Sequence, residues 1–578
     1  MEYTSERNHQ IIIELLKHHG IKKIVTSPGG TNITFVASVQ NDSFFELYSS
    51  VDERSAAYIA CGLAAESKEP VVLTCTGATA SRNYFPGLTE AFYRKLPILS
   101  ITSTLPITEI GHNVPQVTDR TVISNDIAKH SVLLPVIKDA ADEWSCTLKA
   151  NEAILELTHH GTGPVHINLE TIGLKFNEKE ITPVHYIDRI CNKDKFPKLS
   201  NAKKIGIFVG EHEKWSDDLT DAVDSFCERY NGIVIGDHTS NYKGKYSVPA
   251  SLITSQKFYK PECIKMDLLI HIGNISGAYL KLLPNEVWRV NPDGKICDTF
   301  KKLRYVFETE EIDFFSNYLD NNNYCSCTDY YNEWANEYHS LFDKIPDLPF
   351  SNIWIAKTIS ENYLKNATLH LGILNSLRSW NFFNIDKSVS VFCNTGGFGI
   401  DGCVSTLLGA SLNSQKNIYY GVVGDLAFFY DMNSLGNRHL SNNFRLIVIN
   451  NGLGQEFKNY GCRAAEFNDI NNEYIAAKGH FGNKSKDLIK NYASALGIKY
   501  FSAKSKKEFF DCANDFFTQK TSKEPYIFEI FTDSENETQA LKIICTLEES
   551  VGENAKQIVK NIIGDKGVKS LKKFLKGN

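Results

Sequence analysis

Short runs of β-branched and aliphatic residues alternate along the chain with longer stretches whose apolar positions recur at helical spacing. That alternation is the pattern of parallel α/β sheets. The predicted strands form three series. The first is Lys23–Ser27, Phe45–Val51, Val71–Thr76 and Pro97–Thr102, with an alanine-rich helix over Glu53–Glu66. The second is Ile205–Gly210, Gly232–Gly236, Leu268–Gly273 and Glu286–Asn291. The third is Ser388–Cys393, Ile418–Gly424, Phe444–Asn450 and Tyr526–Thr532. Two polar stretches without periodicity, Lys175–Lys204 and Asn321–Pro349, read as linkers. The expected organisation is three doubly wound parallel-sheet domains at residues 1–180, 195–335 and 350–550, with a tail at 551–578.

A length of 578 residues agrees with several domains. Apolar residues at 42% and charged residues at 22% suit globular cores. The net charge of −6 is a mixture of both signs, which argues against nucleic acid as a partner. The polar start MEYTSERNHQ shows no secretory signal, and no apolar run is long enough for a transmembrane segment. A cytoplasmic location is expected. The fourteen cysteines lack metal-ligand or disulfide spacing and read as scattered reduced thiols. The lysine-rich tail reads as a solvated helix or lid, with a membrane-surface helix as the alternative.

The most informative segment runs from Gly424 to Phe457, GDLAFFYDMNSLGNRHLSNNFRLIVINNGLGQEF. Parallel sheets place ligands at the carboxyl ends of strands. Asp425 and the Asn450–Asn451 pair can therefore face one site from two strand ends. A carboxylate, an amide oxygen and a backbone carbonyl are the ligands a hard divalent cation takes. The helix opening after Gly424–Asp425 offers backbone N–H groups to phosphate oxygens.

This arrangement resembles the thiamine diphosphate signature: Gly-Asp, about two dozen residues, then Asn-Asn. The resemblance assigns Asp425, the side chain of Asn451 and the carbonyl of Leu453 to Mg2+, which holds the diphosphate. Gly424, Leu426 and Gln455 flank the same anchor. In SSVDERSAAYIACGLAAES, Glu53 stands where such enzymes hydrogen-bond the aminopyrimidine and activate the cofactor. Read from residues alone, an acid there simply favours the helix dipole. Ile400, in NTGGFGIDG, takes the place of the apolar prop under the bent cofactor, with a core isoleucine as the alternative. Gly77, in TGATASRNYFPG, resembles the glycine turn beside the pyrimidine, and Gln116, in GHNVPQ, a catalytic pocket glutamine.

Over most of its length the chain resembles the 2-succinyl-5-enolpyruvyl-6-hydroxy-3-cyclohexene-1-carboxylate synthase (MenD-type) family. The clearest stretches are SPGGTN, VDERSAAYIACGLA, TGGFGIDGCVSTLLGA, GDLAFFYDMNSL and NNGLGQEF. The resemblance implies the fold of thiamine diphosphate-dependent decarboxylases: a pyrimidine-binding domain, a central domain without cofactor and a diphosphate-binding domain. It also implies a homodimer with each cofactor between two subunits. Whether dimers pair into a homotetramer stays open.

The departures fall where substrate should bind. Thr31, beside Asn32, stands in place of an acceptor-binding arginine, and Ala278 and Tyr279 in place of a Lys-Arg pair. Thr395 stands in place of another arginine. Arg378 or Trp380 fills a further basic slot, and Glu456, before Phe457, replaces an apolar residue facing the substrate. Lysine or neutral groups are poor substitutes for bidentate arginines, and Glu456 is expected to repel an anion. The expectation is a lyase or transferase that decarboxylates a 2-oxo acid donor and couples it to a carbonyl acceptor other than isochorismate, of a hydroxylated, sugar-like kind. Gln116, Asn32, Glu456 and His112 are candidate groups for handling protons and orienting substrate. Three alternatives stand beside it: a decarboxylase releasing an aldehyde, a true menaquinone-pathway synthase using Arg82, Arg94 and Arg378, and a cofactor-binding paralogue without catalysis.

Overall fold

The computed structural model describes residues 2–199, 203–319, 327–480, 484–519 and 522–548, so the tail 551–578 lies outside the described residues. The described residues form two compact units, one of residues up to 190 together with 295–306, the other of residues 191–294 together with those from 307 to 548.

The first unit carries a parallel sheet of β1 (Lys23–Thr26), β2 (Glu46–Ser49), β3 (Val71–Thr76), β4 (Ile98–Thr104), β5 (His130–Leu134) and β6 (Val165–Glu170). Its order is β2-β1-β3-β4-β6-β5. Apolar clusters cover both faces, one around Ile11–Leu16 and one around Ala56–Ala64. Helix α1 (Glu53–Ser67) starts where β2 ends, and α2 (Phe85–Arg94) packs along it. Asp52 caps α1 by accepting the Ser55 N–H at 2.8 Å. A Cβ at Gly87 would overlap that of Ala57, so the close approach of α1 and α2 requires the bare backbone.

The second unit holds β7 (Ile205–Val209), β8 (Gly232–Gly236), β9 (Lys265–Ile272) and β10 (Leu283–Val290), parallel in the order β8-β7-β9-β10. It also holds the last sheet: β11 (Thr368–Leu371), β12 (Ser390–Phe392), β13 (Tyr419–Gly424), β14 (Phe444–Asn450), β15 (Lys499–Ala503) and β16 (Tyr526–Phe531). The order there is β12-β11-β13-β14-β16-β15, the same path as in the first sheet. Each of these two sheets thus reverses between its first and third strands, and there the carboxyl ends open a crevice. Helix α3 (Asn375–Trp380) follows β11, α4 (Asp425–Asp431) follows β13 at that reversal, and α5 (Ser534–Cys545) follows β16.

All twelve predicted strands are present, and the pattern missed others. In β6 the polar residues His166, Asn168 and Glu170 alternate as if solvent-facing, yet the whole strand is buried. A polar network satisfies them: His166 meets Thr102 at 2.7 Å and Ser131 at 2.9 Å, and Glu170 accepts the N–H groups of Ile107 and Val136. The expected linker Asn321–Pro349 is corrected by a helix at Asp329–Phe342. Its buried stripe of Tyr330, Trp334, Tyr338 and Leu341 is helical, hidden in sequence by polar neighbours. Within the other linker, Phe176–Glu178 pairs antiparallel with Tyr3–Thr4. No helix among the described residues is long and apolar enough to cross a membrane. All thirteen cysteines described are free thiols.

Candidate cofactor and substrate site

Asp425 begins α4 directly after β13 and is buried. Its carboxylate accepts the N–H of Leu426 at 2.9 Å and that of Gly452 at 2.8 Å. The second bond ties the end of β13 to the turn after β14, where Gly452 adopts the left-handed φ of 80°. Burial pushes the Asp425 carboxyl up to about 7 against the pull of those two N–H groups. A carboxylate buried at that cost is stabilised by a nearby cation. Asn451 brings a second oxygen, which accepts the Leu453 N–H at 3.3 Å, and Leu453 is itself buried. This all-oxygen set fits a hard divalent ion. Gly424 and Leu426 flank Asp425, half-buried.

Asn450 does not join them. Its amide donates to Glu529 at 2.6 Å behind the strand end, so only one member of the expected pair remains available. Glu529 also accepts from Tyr500 at 2.7 Å. Gln455 turns its amide toward α5, donating to Thr538 at 3.0 Å and Ser534 at 3.3 Å. Glu537, fully buried on α5, accepts the Asn352 N–H at 3.0 Å and the Thr532 hydroxyl at 2.6 Å. Burial raises its carboxyl to about 7, and Asp425 adds to the rise. Sequence reasoning missed both glutamates. A charged residue within the apolar strand YIFEIF was the available signal for Glu529.

A cavity of about 340 Å³ opens beside this anchor, lined by Ala278, Tyr279, Asn375, Arg378, Glu456 and Glu537 among others. Arg378 points into it, whereas Trp380 is fully buried in the core. The guanidinium pairs with the Glu456 carboxylate and lies 5.4 Å from the Tyr279 ring centre. Asn375 reaches the Glu456 N–H (2.9 Å) and its second oxygen (3.2 Å). The expectation that Glu456 presents a bare repelling charge is therefore corrected: Arg378 neutralises it and is itself consumed. Leu374, just before α3, has φ 71° and ψ −118°, a strained conformation that fixes where α3 starts. Thr395 is buried and Ile400 half-buried against the core of the last sheet. Phe457 lies half-exposed over Gly454.

In the first unit Glu53 occupies the opening turn of α1 and accepts from Asn83 at 3.1 Å. The Gly77 turn follows β3; a Cβ there would meet the Ser103 carbonyl at 3.0 Å and the Arg120 guanidinium at 3.1 Å. The Thr31 hydroxyl donates to the Ser103 carbonyl at 2.8 Å, and the buried Asn32 amide to the Ser27 carbonyl at 2.9 Å. These bonds bring Thr31, Asn32 and the Gly77 turn together at the ends of β1 and β3. His112 and Gln116 lie exposed on the following loop, Gln116 with the left-handed φ of 66°. Arg82 donates to the Asp119 carbonyl at 2.9 Å, and Arg94 pairs with Glu90 at 3.4 Å.

Residues 7–123 match the family model for the thiamine pyrophosphate enzyme N-terminal TPP binding domain. The chain is 30% identical over 567 residues to the 2-succinyl-5-enolpyruvyl-6-hydroxy-3-cyclohexene-1-carboxylate synthase of Phocaeicola vulgatus, covering 93% of this chain and 98% of the relative. It is 29% identical over the same span to the synthase of Bacteroides fragilis. Against that of Flavobacterium johnsoniae it is 30% identical over 486 residues, covering 78% and 84%. The protein is accordingly an enzyme that uses thiamine diphosphate with a divalent metal such as Mg2+ on a 2-oxo acid. A cofactor-domain match at one end, joined to identity along nearly the whole of a relative, shows that the chain belongs to the thiamine diphosphate-dependent 2-succinyl-5-enolpyruvyl-6-hydroxy-3-cyclohexene-1-carboxylate synthase family.

Proposed function

We propose that this enzyme is a carboligase that decarboxylates a short 2-oxo acid and couples it to a hydroxylated, sugar-like carbonyl acceptor other than isochorismate. The observation that carries this reading is the Arg378–Glu456 pair. An isochorismate and 2-oxoglutarate pair brings several carboxylates, and charge-assisted bonds to them contribute roughly 1.5–3 kcal/mol each. Here the cavity's arginine is already neutralised, and the positions expected to be basic hold Ala278 and Tyr279.

Asp425, the Asn451 amide oxygen and the Leu453 carbonyl would hold Mg2+, with Gly424, Leu426 and Gln455 flanking the diphosphate. Ile400 would prop the cofactor and Gly77 would lie beside its pyrimidine. When bound, thiamine diphosphate supplies the nucleophilic carbon and the electron sink that decarboxylation needs. Glu53 would hold and return the proton at the aminopyrimidine ring. Gln116, His112 and Asn32 would orient the acceptor and exchange its proton, with Thr31, Thr395 and Phe457 shaping the walls.

The three sheets would serve as pyrimidine-binding, central and diphosphate-binding domains of a cytoplasmic homodimer. Its supporting observation is the exposure of apolar side chains on two neighbouring helices: Val51 just before α1, Tyr58 and Ile59 on it, and Tyr93 on α2, which packs along it.

The test supplies the purified enzyme, thiamine diphosphate and Mg2+ with either of two pairs: pyruvate and an aldose, or 2-oxoglutarate and isochorismate. A coupled product from the first pair supports the reading. Efficient consumption of the second overturns it and favours the activity named for the relatives, which their near-complete coverage makes the second reading. Free aldehyde without coupling would mark a simple decarboxylase.

A further inference from the structure

We propose that the enzyme carries a second anion site, separate from the cofactor anchor, that takes a small phosphate ester. It is a cavity of about 240 Å³ beyond the carboxyl end of β8, lined by Lys243, Lys245 and Lys387. Doubly wound sheets bind ligands outside the carboxyl ends of their strands, so this is a place the fold favours.

The three lysines come from two distant segments. Lys243 and Lys245 follow β8, and Lys387 follows α3 and donates to the Gly244 carbonyl at 2.8 Å. That bond closes the two segments around the cavity. Three carboxylates stand nearby, Asp237, Asp386 and Asp224, and all are engaged by neutral donors. Asp237 accepts from the Thr239 N–H at 2.7 Å, the Ser276 hydroxyl at 2.7 Å and the Ala278 N–H at 3.1 Å. Asp386 accepts from the Ser388 hydroxyl at 2.6 Å and its N–H at 2.9 Å. Asp224 accepts from the Lys245 backbone N–H at 3.0 Å and from the Tyr242 hydroxyl. The three carboxylates match the three lysines in number, but among the described residues none of the three ammonium groups is ion-paired, so an anion in the cavity would meet uncommitted positive charge. His238 adds none, because burial holds its imidazole down to about 4.

Lys243 bears the cost of this arrangement. Burial depresses its ammonium to about 8, Asp386 offsets part of that, and the neighbouring Lys387 charge deepens it. A bound anion would relieve both the burial and the repulsion. Lysines act as point charges, which suits a phosphate; a carboxylate site would favour the planar fork of arginine. A volume below the usual 300–1,000 Å³ of ligand pockets admits a phosphate with a few carbons.

The cavity shares structure with the Arg378 cavity. Asn381 lines both, and its side chain accepts the His238 N–H at 3.2 Å. Asp237 also clamps the Ser276–Ala278 loop that supplies a wall of the other cavity. An anion held by Lys243 and Lys387 would therefore steady the substrate side.

The test is titration calorimetry on enzyme preloaded with thiamine diphosphate and Mg2+, which fills the diphosphate anchor. Glycerol 3-phosphate, inorganic phosphate and malonate are the probes, on wild type and on Lys243→Gln and Lys387→Gln. Glycerol 3-phosphate should bind saturably, and each substitution should weaken it about tenfold or more with cofactor affinity unchanged. Absence of saturable binding, equal binding in both variants, or malonate binding as tightly as the phosphates would overturn the proposal. The readout is binding, so it stands or falls apart from the identity of the substrates.

Discussion

The Arg378 guanidinium and the Glu456 carboxylate, 78 residues apart, neutralise each other in the cavity beside the Asp425 anchor. One residue reaches the site from the helix after β11 and the other from the turn after β14. Their pairing turns a cation suited to carboxylates into a neutral, hydrogen-bonding surface.

Glu456→Leu should free that arginine. Succinate, a dicarboxylate that cannot react, should then compete about tenfold more tightly, as one charge-assisted bond would allow. Arg378→Met in the same background should remove the gain. Inhibition constants of the two variants and wild type are the measurement; an unchanged succinate constant in Glu456→Leu argues against the role assigned to the pair.

Glu53→Gln should lower turnover by roughly 10²–10⁴-fold, the usual contribution of a positioned proton-transfer group. Cofactor affinity, followed by fluorescence quenching, should change little. Parallel loss of both would make Glu53 a binding residue.

Asp425→Ala should abolish metal-dependent binding of thiamine diphosphate, and chelation of the divalent ion should do the same to wild type. Equilibrium dialysis with and without Mg2+ reports both. Retained Mg2+-dependent binding in the variant would displace Asp425 from the anchor.

Glu537 has a folded-state carboxyl raised by burial from an ordinary value near 4.5 to about 7. Between those values the folded state holds more protons than the unfolded state, so stability falls as pH rises through this window. The cofactor-free protein should lose melting temperature from pH 4.5 to 7. Glu537→Gln should flatten that descent, and thermal scans across the window compare them.

Gly87→Ala should destabilise by about 1–3 kcal/mol, because its methyl would overlap Ala57 and push α2 from α1. Chemical denaturation gives the magnitude. Activity should fall as well, since α1 carries Glu53 in its first turn.

Much of the fold is legible in the amino-acid sequence. Strand runs as regular as Val71–Thr76 and Phe444–Asn450 need only local periodicity. The Asp425–Asn451 spacing points to an oxygen-ligand site because strand ends face one crevice in a parallel sheet. Buried polar groups defeat the same reasoning. Val165–Glu170 looks unlike a central strand because its polar partners come from β4 and separate loops. The helix Asp329–Phe342 is hidden because four aromatic and aliphatic contacts outweigh a polar composition.

Local patterns suffice for the α/β class, the oxygen-ligand anchor and the residues at each strand end, since each of these spans a few residues or a single strand–turn–helix; the cofactor itself is read from the family resemblance. Which of those groups remain available is settled only when the chain packs in three dimensions. Packing turns Asn450 onto Glu529, Gln455 onto α5, and Arg378 onto Glu456. Such pairings depend on strand order and on where helices begin in space, and charge is neutralised by proximity, which no local pattern encodes.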